Sequence, residues 1–149
     1  MSPESQLLGA NAVRLGLTAA DKTEALNQAG ALLVEIGAAT EAYADALHER
    51  ETSVSTYVGE GVAIPHGTNE SREYIERAAL GYLQFPEGVD WDGETVYVCV
   101  AIASKSEEHV DILSALAQVL MDPAKAEQLR TATSADDVLS LLSPEPNQE

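Results

Sequence analysis

Apolar residues in the first third of the chain recur at the spacing of a helix. Within residues 18–37 they stand three or four positions apart, so one face of a helix would be apolar throughout. The residues on this face are Ala25, Leu26, Ala29, Leu32, Leu33 and Ile36. Thr18 is a candidate N-cap and Gly37 a candidate terminator. A second helix is predicted from the cap Thr40 to about Arg50.

Two apolar runs in the middle of the chain are typical of strands. Residues 78–85 form the first run and residues 95–103 the second, with turn signals at 86–88 and 92–93. In the second run both alternating sets are mostly apolar. The predicted faces are Val96, Val98, Val100 and Ile102 on one side, and Tyr97, Cys99 and Ala101 on the other. A strand that is apolar on both faces is central in its sheet, with helices above and below it.

Helical and strand patterns alternate along the chain, which favours an α/β architecture. We expect a single mixed β-sheet of about five strands, sandwiched by helices on both faces. The second helix should bury Tyr43 and Leu47. Further helices are predicted at residues 69–77 and 106–122, followed by a short one that ends at Arg130 and a last one at 134–142. A chain of 149 residues is typical of one domain, here 1–149 with flexible tails at about 1–9 and 143–149.

The most informative stretch is residues 56–67, where a short apolar run ends at a proline that is followed by a histidine. Residues 62–64 predict a brief buried strand between glycines and Pro65. Pro65 has no N–H and restricts the residue before it to extended geometry, so pairing should end there. His66 is therefore expected at a strand end, at the mouth of a cleft. Gly67 would let a ligand oxygen, such as that of a phosphoryl group, approach the backbone closely.

A lone histidine is more often a structural residue than a catalyst, so His66 alone does not define a function. Composition narrows the classes of partner. The chain has 25 acidic and 8 basic residues, a formal net charge of −17. This charge argues against nucleic acid or an anionic membrane as partner and suits a basic protein better, although an acidic surface that only keeps the protein soluble is an alternative. With no apolar run approaching about 20 residues and no signal peptide pattern, we expect a cytoplasmic protein without direct membrane insertion.

Several segments together resemble one protein family. The pairs Arg50-Glu51 and Ser55-Thr56 and the run from Gly59 to Gly67, which contains Ala-Ile-Pro-His-Gly, resemble the active-site signature of one class of enzyme IIA domains. These are the domains of the mannitol/fructose class in the bacterial phosphoenolpyruvate-dependent sugar phosphotransferase system. The similarity continues in the family's order through residues 85–91, 101–103 and 108–113, and it is greatest to the mannitol-specific type.

The resemblance implies a set of site residues. In the family, the histidine of Ala-Ile-Pro-His-Gly carries a phosphoryl group between two partner proteins, with the arginine of Arg-Glu and a second histidine nearby; the matching positions are His66, Arg50 and His109. A planar guanidinium can donate two hydrogen bonds to a phosphoryl group, although a cation such as Arg50 also suits a helix C-terminus for structural reasons. His109 falls in the first turn of a predicted helix, where free N–H groups favour a phosphate. Thr56 and Glu60 are secondary candidates for hydrogen-bonding a loop or the imidazole.

The resemblance also implies a reaction and its partners. The protein would be a phosphotransferase that accepts a phosphoryl group from the histidine phosphocarrier protein and passes it to a cysteine of an enzyme IIB domain of a sugar permease. The substrate of that permease would be a sugar or sugar alcohol, with mannitol favoured. No cofactor and no metal are expected. Cys99, the single cysteine, lies in the predicted central strand, and we expect it to be a core residue and not the acceptor.

Two alternatives remain open at the level of the sequence. The first is a regulatory enzyme IIA-like domain, of the nitrogen or fructose type, that signals its phosphorylation state to other proteins with the same chemistry at His66. The second is a metal hydrolase built on His48, His66 and His109, but no His-x-x-x-His or clustered Cys/His spacing supports it. His48 is next to Leu47 in the second predicted helix and is expected to face solvent.

Overall fold

The regular elements of the chain alternate between helix and strand. The computed structural model describes residues 12–53, 56–59, 61–67, 69–76, 79–103, 122–135 and 137–138. The strands are β1 (Val13–Arg14), β2 (Tyr57–Gly59), β3 (Val62–Ala63), β4 (Ala79–Trp91) and β5 (Glu94–Ala103). The helices are α1 (Lys22–Glu35), α2 (Glu41–Ser53) and α3 (Pro123–Arg130), with a 3-10 helix at Asn69–Tyr74.

The five strands form one mixed sheet in the order β1-β4-β5-β3-β2. The long strands β4 and β5 are antiparallel neighbours, whereas β1 lies parallel to β4 and β3 parallel to β5. At the edge, β2 is antiparallel to β3. The prediction of a mixed sheet of about five strands is confirmed, and β5, apolar on both faces, has the interior place predicted for it.

Helices cover both faces of this sheet, as predicted. On one face α1 and α2 pack against the strands in a cluster whose buried members include Leu26, Leu33, Leu47, Leu83 and Cys99. On the other face α3 packs in a cluster that includes Tyr82, Val98, Ile102 and Leu129. Because successive residues of a strand point to opposite faces, β4 and β5 contribute alternate side chains to the two clusters.

The hairpin between β4 and β5 differs from the prediction at one of its two turn signals. Gln84 pairs with Val98 and Val89 with Val96, so the four residues 85–88 of β4 lie opposite the single residue Tyr97 of β5. Residues 86–88 are therefore a bulge within β4 and not a turn, which is a place in a sheet where a proline is tolerated. The chain reverses at residues 92–93 instead, where both residues have positive φ, 56° and 97°, as in the two-residue turns typical of hairpins.

A second bulge changes the predicted faces of β5. The backbone N–H groups of Tyr97 and Val98 both donate to the carbonyl oxygen of Gly61, at 2.7 and 3.2 Å. Two residues that share one partner interrupt the alternation of side chains. From Val98 onward the predicted faces are confirmed, but Val96 packs on the α1 and α2 side and Tyr97 on the opposite side, so these two assignments were wrong.

The predicted helix boundaries are partly right. The N-cap of α1 is Asp21 and not Thr18, because the Asp21 carboxylate accepts the N–H of Glu24 at 2.9 Å. Gly37 ends this helix with φ +78°, as predicted. Helix α2 continues three residues beyond Arg50.

The remaining helix predictions have mixed outcomes. The helix predicted at 69–77 is a 3-10 helix at Asn69–Tyr74, with Tyr74 37% exposed and Ile75 buried just after it. Ser134 caps the start of the last predicted helix, since its hydroxyl oxygen accepts the N–H of Asp137 at 3.2 Å. The predicted helix at 106–122, with the single exception of residue 122, and the proposed tails lie outside the described residues. No helix within the described ranges is long and apolar enough to cross a membrane.

Candidate functional site

His66 follows β3 at the point where that strand leaves β5. Strand β3 pairs with β5 through Val62 and Ala63. The proline after it supplies no N–H, but the carbonyl oxygen of Pro65 still accepts the N–H of Ile102 at 2.9 Å, so contact with β5 extends up to the histidine. His66 is 9% exposed, which is more buried than the predicted position at a cleft mouth implied.

The orientation of the His66 ring defines which nitrogen carries the proton. Its Nδ1 lies 2.8 Å from the carbonyl oxygen of Ile64. A carbonyl oxygen can only accept a hydrogen bond, so Nδ1 must bear the proton of the neutral ring. The lone pair of the neutral imidazole is therefore on Nε2.

The backbone on both sides of His66 is held by long-range hydrogen bonds. Before it, the Ile64 N–H donates to the carbonyl oxygen of Thr56 at 3.0 Å. After it, the Gly67 N–H donates to the Tyr43 hydroxyl at 2.9 Å, and that hydroxyl donates to the carbonyl oxygen of Ile102 at 2.8 Å. The histidine is thus tied to β2, to α2 and to β5, which restricts the positions that its ring can take.

Gly67 has a structural role in addition to the one predicted. Its N–H is already bound to Tyr43, so it is not directed toward a ligand oxygen. A Cβ at this position would collide with the Tyr43 ring and the Ser71 hydroxyl. The glycine is required here because side chains of α2 and the 3-10 helix approach the backbone closely. The approach of a ligand oxygen to this backbone stays a prediction.

Burial is the main influence on the protonation of the His66 ring. Burial lowers the pKa of His66 from its ordinary value of 6.5. The hydrogen bond to Ile64 opposes this change, the positive charge of Arg50 lowers the pKa further, and the negative charge of Glu51 raises it. Arg50 is half-buried in the last turn of α2, and the structure brings it and His66 into one electrostatic environment, as the resemblance implied.

Glu51 is the centre of a buried hydrogen-bond network that sequence reasoning did not predict. Its side chain is 5% exposed. Its carboxylate accepts the Thr56 hydroxyl at 2.6 Å, the Thr56 N–H at 3.2 Å, and the indole N–H of Trp91 at 2.9 Å. Thr56, predicted as a secondary candidate for hydrogen-bonding a loop or the imidazole, instead binds Glu51. The only sequence signal was the presence of all three residues in segments that resemble the same family.

Tyr43 is a second residue near His66 whose hydrogen bonds the sequence did not predict. The helical pattern predicted it only as a buried residue of the second helix, and it is 2% exposed. A buried tyrosine hydroxyl must find hydrogen-bond partners, which is the signal that could have identified it. Its hydroxyl joins the residue after His66 to β5.

The other sequence candidates lie apart from this site or outside the described residues. His109 and Glu60 belong to the latter group, so their predicted roles stay predictions. The Nε2 of His48 is 2.8 Å from Asn27 Oδ1, between α1 and α2. Among residues that the structure describes, no three His, Cys, Asp or Glu side chains are grouped to hold a metal ion. Cys99 is fully buried, and burial raises the pKa of its thiol.

Fold and site together define an α/β domain with a buried histidine that donates its Nδ1 proton to a backbone carbonyl and feels the charge of an arginine. Residues 6–144 match the family model described as "Phosphoenolpyruvate-dependent sugar phosphotransferase system, EIIA 2". This chain therefore belongs to the enzyme IIA family of that system, and the resemblance seen in the sequence is confirmed.

Curated relatives show how far the similarity extends. The chain is 42% identical over 134 residues to the mannitol-specific phosphotransferase enzyme IIA component of Staphylococcus aureus (strain MRSA252), covering 90% of this chain and 93% of the relative. It is 43% identical over 135 residues to the multiphosphoryl transfer protein of Escherichia coli O157:H7. In that case the match spans 90% of this chain but only 36% of the longer relative.

Solved structures share the fold over nearly their whole length. Enzyme IIA in the complex of mannitol enzymes IIA and phosphorylated IIB from Escherichia coli matches with a TM-score of 0.86 and 34% identity, covering 93% of this chain and 100% of that one. The crystal structure of the Escherichia coli mannitol IIA gives 0.83 and 36% identity, covering 91% and 98%. The nitrogen regulatory protein IIA-Ntr from Neisseria meningitidis gives 0.81 and 27% identity, covering 95% and 100%.

Proposed function

We propose that this chain is a phosphoryl carrier that receives its phosphoryl group on Nε2 of His66 from the histidine phosphocarrier protein and transfers it to a cysteine of an enzyme IIB domain. The observation that supports this most is the 2.8 Å contact from Nδ1 of His66 to the Ile64 carbonyl, which leaves Nε2 with its lone pair. Family membership supports the reaction class. The similarity to a mannitol enzyme IIA in complex with phosphorylated enzyme IIB supports the class of acceptor.

The two transfers balance in atoms and electrons. In the first, the lone pair of His66 Nε2 forms a bond to phosphorus while the phosphorus–nitrogen bond of the donor phosphohistidine breaks and its electron pair returns to the donor nitrogen. The proton on Nδ1 stays in place, so the phosphorylated ring is cationic and the Ile64 carbonyl accepts its hydrogen bond. In the second, an acceptor thiolate attacks phosphorus and the electron pair returns to Nε2. A cationic ring is the better leaving group, which favours onward transfer.

The protein assists both steps through position and charge. Arg50, whose positive charge is felt by the His66 ring, would donate to oxygens of the phosphoryl group and balance the charge that spreads over them. His109 would donate to the same group, as the resemblance implies. The mechanism uses no metal and no cofactor, and both partners are encountered in the cytoplasm.

The relatives support a proposal for the sugar and the physiological role. The names of the staphylococcal relative and of two structural neighbours favour a transport component for mannitol. A regulatory role is favoured less, because the nitrogen regulatory neighbour is 27% identical. The discriminating experiment gives the phosphorylated protein to a mannitol-specific enzyme IIB domain. Transfer to the IIB cysteine supports transport, whereas a stable phosphohistidine that never leaves supports regulation.

The nitrogen that accepts the phosphoryl group is a direct test of the proposed function. We expect the phosphorylated protein, labelled with ¹⁵N in its histidines, to show coupling between phosphorus and Nε2 of His66, since Nδ1 is occupied by its proton and the Ile64 carbonyl. Nuclear magnetic resonance of the labelled product measures this coupling. Coupling to Nδ1, or to another histidine, would contradict the proposal.

The rate of phosphoryl acceptance should depend on pH in a way set by the lowered pKa of His66. Only the neutral ring is a nucleophile, and a pKa below 6.5 means that the ring stays neutral as the pH falls through that value. We therefore expect the single-turnover rate to hold its plateau at pH 6.5 and to decline only at more acidic pH. Direct titration of the His66 ring by nuclear magnetic resonance separates this change from ionisation of the donor. A midpoint at or above 6.5 would show that burial does not control the ring.

A further inference from the structure

A buried carboxylate lies one residue after Arg50, at the end of α2. Three donors converge on Glu51: the hydroxyl and the N–H of Thr56, and the indole N–H of Trp91. Thr56 immediately precedes β2 and Trp91 is the last residue of β4, so this one side chain joins a helix to two separate strands. Three donors directed at two oxygens match what an ionised carboxylate can accept.

The network continues from Glu51 to the His66 ring. Thr56 is held by Glu51 through both its hydroxyl and its N–H, and its carbonyl oxygen accepts the N–H of Ile64 at 3.0 Å. The carbonyl oxygen of Ile64 is the group that accepts the Nδ1 proton of His66 at 2.8 Å. Each link fixes the position of the next, from a buried carboxylate to the ring that reacts.

We propose that Glu51 is a positioning residue, which holds Thr56 so that the Ile64 carbonyl keeps the proton of His66 on Nδ1 and its lone pair on Nε2. The effect on rate rests on the proposed function of His66, but the effect on the tautomer does not. Glu51 does not touch the transferred group. It determines which nitrogen can receive it, as the carboxylate does in the triads of hydrolases, but here through backbone groups.

The charge of Glu51 has a second consequence for the phosphorylated state. Its negative charge raises the pKa of His66 and so opposes the effect of burial. The ring becomes cationic when Nε2 is phosphorylated with Nδ1 still protonated, and a nearby carboxylate stabilises that cation. Glu51 therefore supports both the tautomer that accepts the phosphoryl group and the charged ring that releases it.

The test replaces Glu51 by glutamine, which has nearly the same shape but offers one acceptor oxygen and an NH₂ group that would face a donor. The matched control is Glu49→Gln, which removes one exposed carboxylate from the same helix. The first measurement is the ¹⁵N shifts of the unphosphorylated His66 ring, which report the tautomer. The second is the rate of phosphorylation by a low-molecular-weight phosphoramidate, which involves no protein docking.

We expect Glu51→Gln to move the two ring nitrogens away from a pure Nδ1–H pattern toward averaged values and to slow phosphorylation by about tenfold to a hundredfold, the range for losing a hydrogen bond to a charged group. Glu49→Gln should change neither. A wild-type tautomer pattern and rate in Glu51→Gln would overturn the proposal. If wild-type His66 took up no label, the proposed function would fail, and the tautomer measurement would still decide the role of Glu51.

A buried Glu→Gln substitution can prevent folding, so a second variant is included. Thr56→Val removes the hydroxyl that donates to Glu51 at 2.6 Å and keeps the backbone groups of Thr56. It should produce the same shift of the tautomer in the same direction, although a smaller one. If Glu51→Gln does not fold, an unchanged tautomer in Thr56→Val overturns the proposal, and a shifted one supports it.

Discussion

Replacing His66 by alanine should reduce phosphoryl acceptance by more than about a thousandfold, because the variant lacks the attacking electron pair. No nearby described nucleophile is placed to substitute for it. The Tyr43 hydroxyl is engaged with Gly67 and Ile102, and Cys99 is fully buried. The measurement is the transfer of radiolabelled phosphate from the phosphorylated phosphocarrier protein.

Two further variants isolate the cause of that loss. His66→Asn places an amide N–H near the position of Nδ1, where it can still donate to the Ile64 carbonyl but cannot attack phosphorus. It should be as inactive as the alanine variant. His48→Ala removes a histidine that contacts Asn27 and should transfer normally. Label on His66→Ala at the wild-type rate would show that another residue is phosphorylated.

The stability of His66→Ala should reflect the burial seen in the structure. A strand-end position suggested an exposed side chain whose loss costs little. At 9% exposure, and with a hydrogen bond to Ile64, truncation should cost about 1 to 3 kcal/mol of unfolding free energy. Circular dichroism during urea unfolding therefore accompanies the transfer assay, so that lost activity is compared between folded proteins.

The local pattern of apolar residues was sufficient to predict many of the helices and strands. The helical spacing within residues 18–37 predicts a buried face, and that face packs on the sheet. The apolar run that ends at Pro65 predicts a strand followed by His66, and β3 occupies Val62–Ala63 of that run. In both cases the residues that create the pattern are the residues that form the element.

The parts that sequence did not predict depend on partners distant along the chain. The bulge at Tyr97 exists because two N–H groups share the carbonyl of Gly61, the residue before the neighbouring strand β3. Alternation in β5 alone gives no sign of it, and each bulge moves the following side chains to the other face. The contact between Glu51 and Trp91 spans forty positions, and only the folded sheet brings the two together.

The ring orientation of His66 lies between these two cases. Its partner, Ile64, is only two residues away, yet the sequence did not reveal which imidazole nitrogen would face the Ile64 carbonyl. That choice depends on the Ile64 carbonyl, whose direction depends on β2 through Thr56. A local hydrogen bond is thus selected by tertiary structure, which is why the chemistry of the site was less predictable than its location.

Arg50 should contribute the next largest share of the transfer rate. Arg50→Ala is expected to slow transfer by about tenfold to a thousandfold, or about 1.4 to 4 kcal/mol of barrier, because one positioned cation and its donors are lost while the nucleophile remains. Arg50→Lys keeps the charge but not the planar fork that binds two phosphoryl oxygens. We expect its rate to lie between the wild-type and alanine rates, measured by the same radiolabel transfer.

The pKa of His66 separates the effect of the positive charge of Arg50 from the effect of its planar hydrogen-bonding fork. Because the positive charge of Arg50 lowers that pKa, Arg50→Ala should raise it, whereas Arg50→Lys should leave it near the wild-type value. The matched control is Arg14→Ala. It removes a cation of the edge strand β1 that pairs with Glu35 at the end of α1. A slow Arg50→Lys with an unchanged His66 titration would assign the effect to the fork. Wild-type transfer in both Arg50 variants would make Arg50 a structural residue at the end of α2.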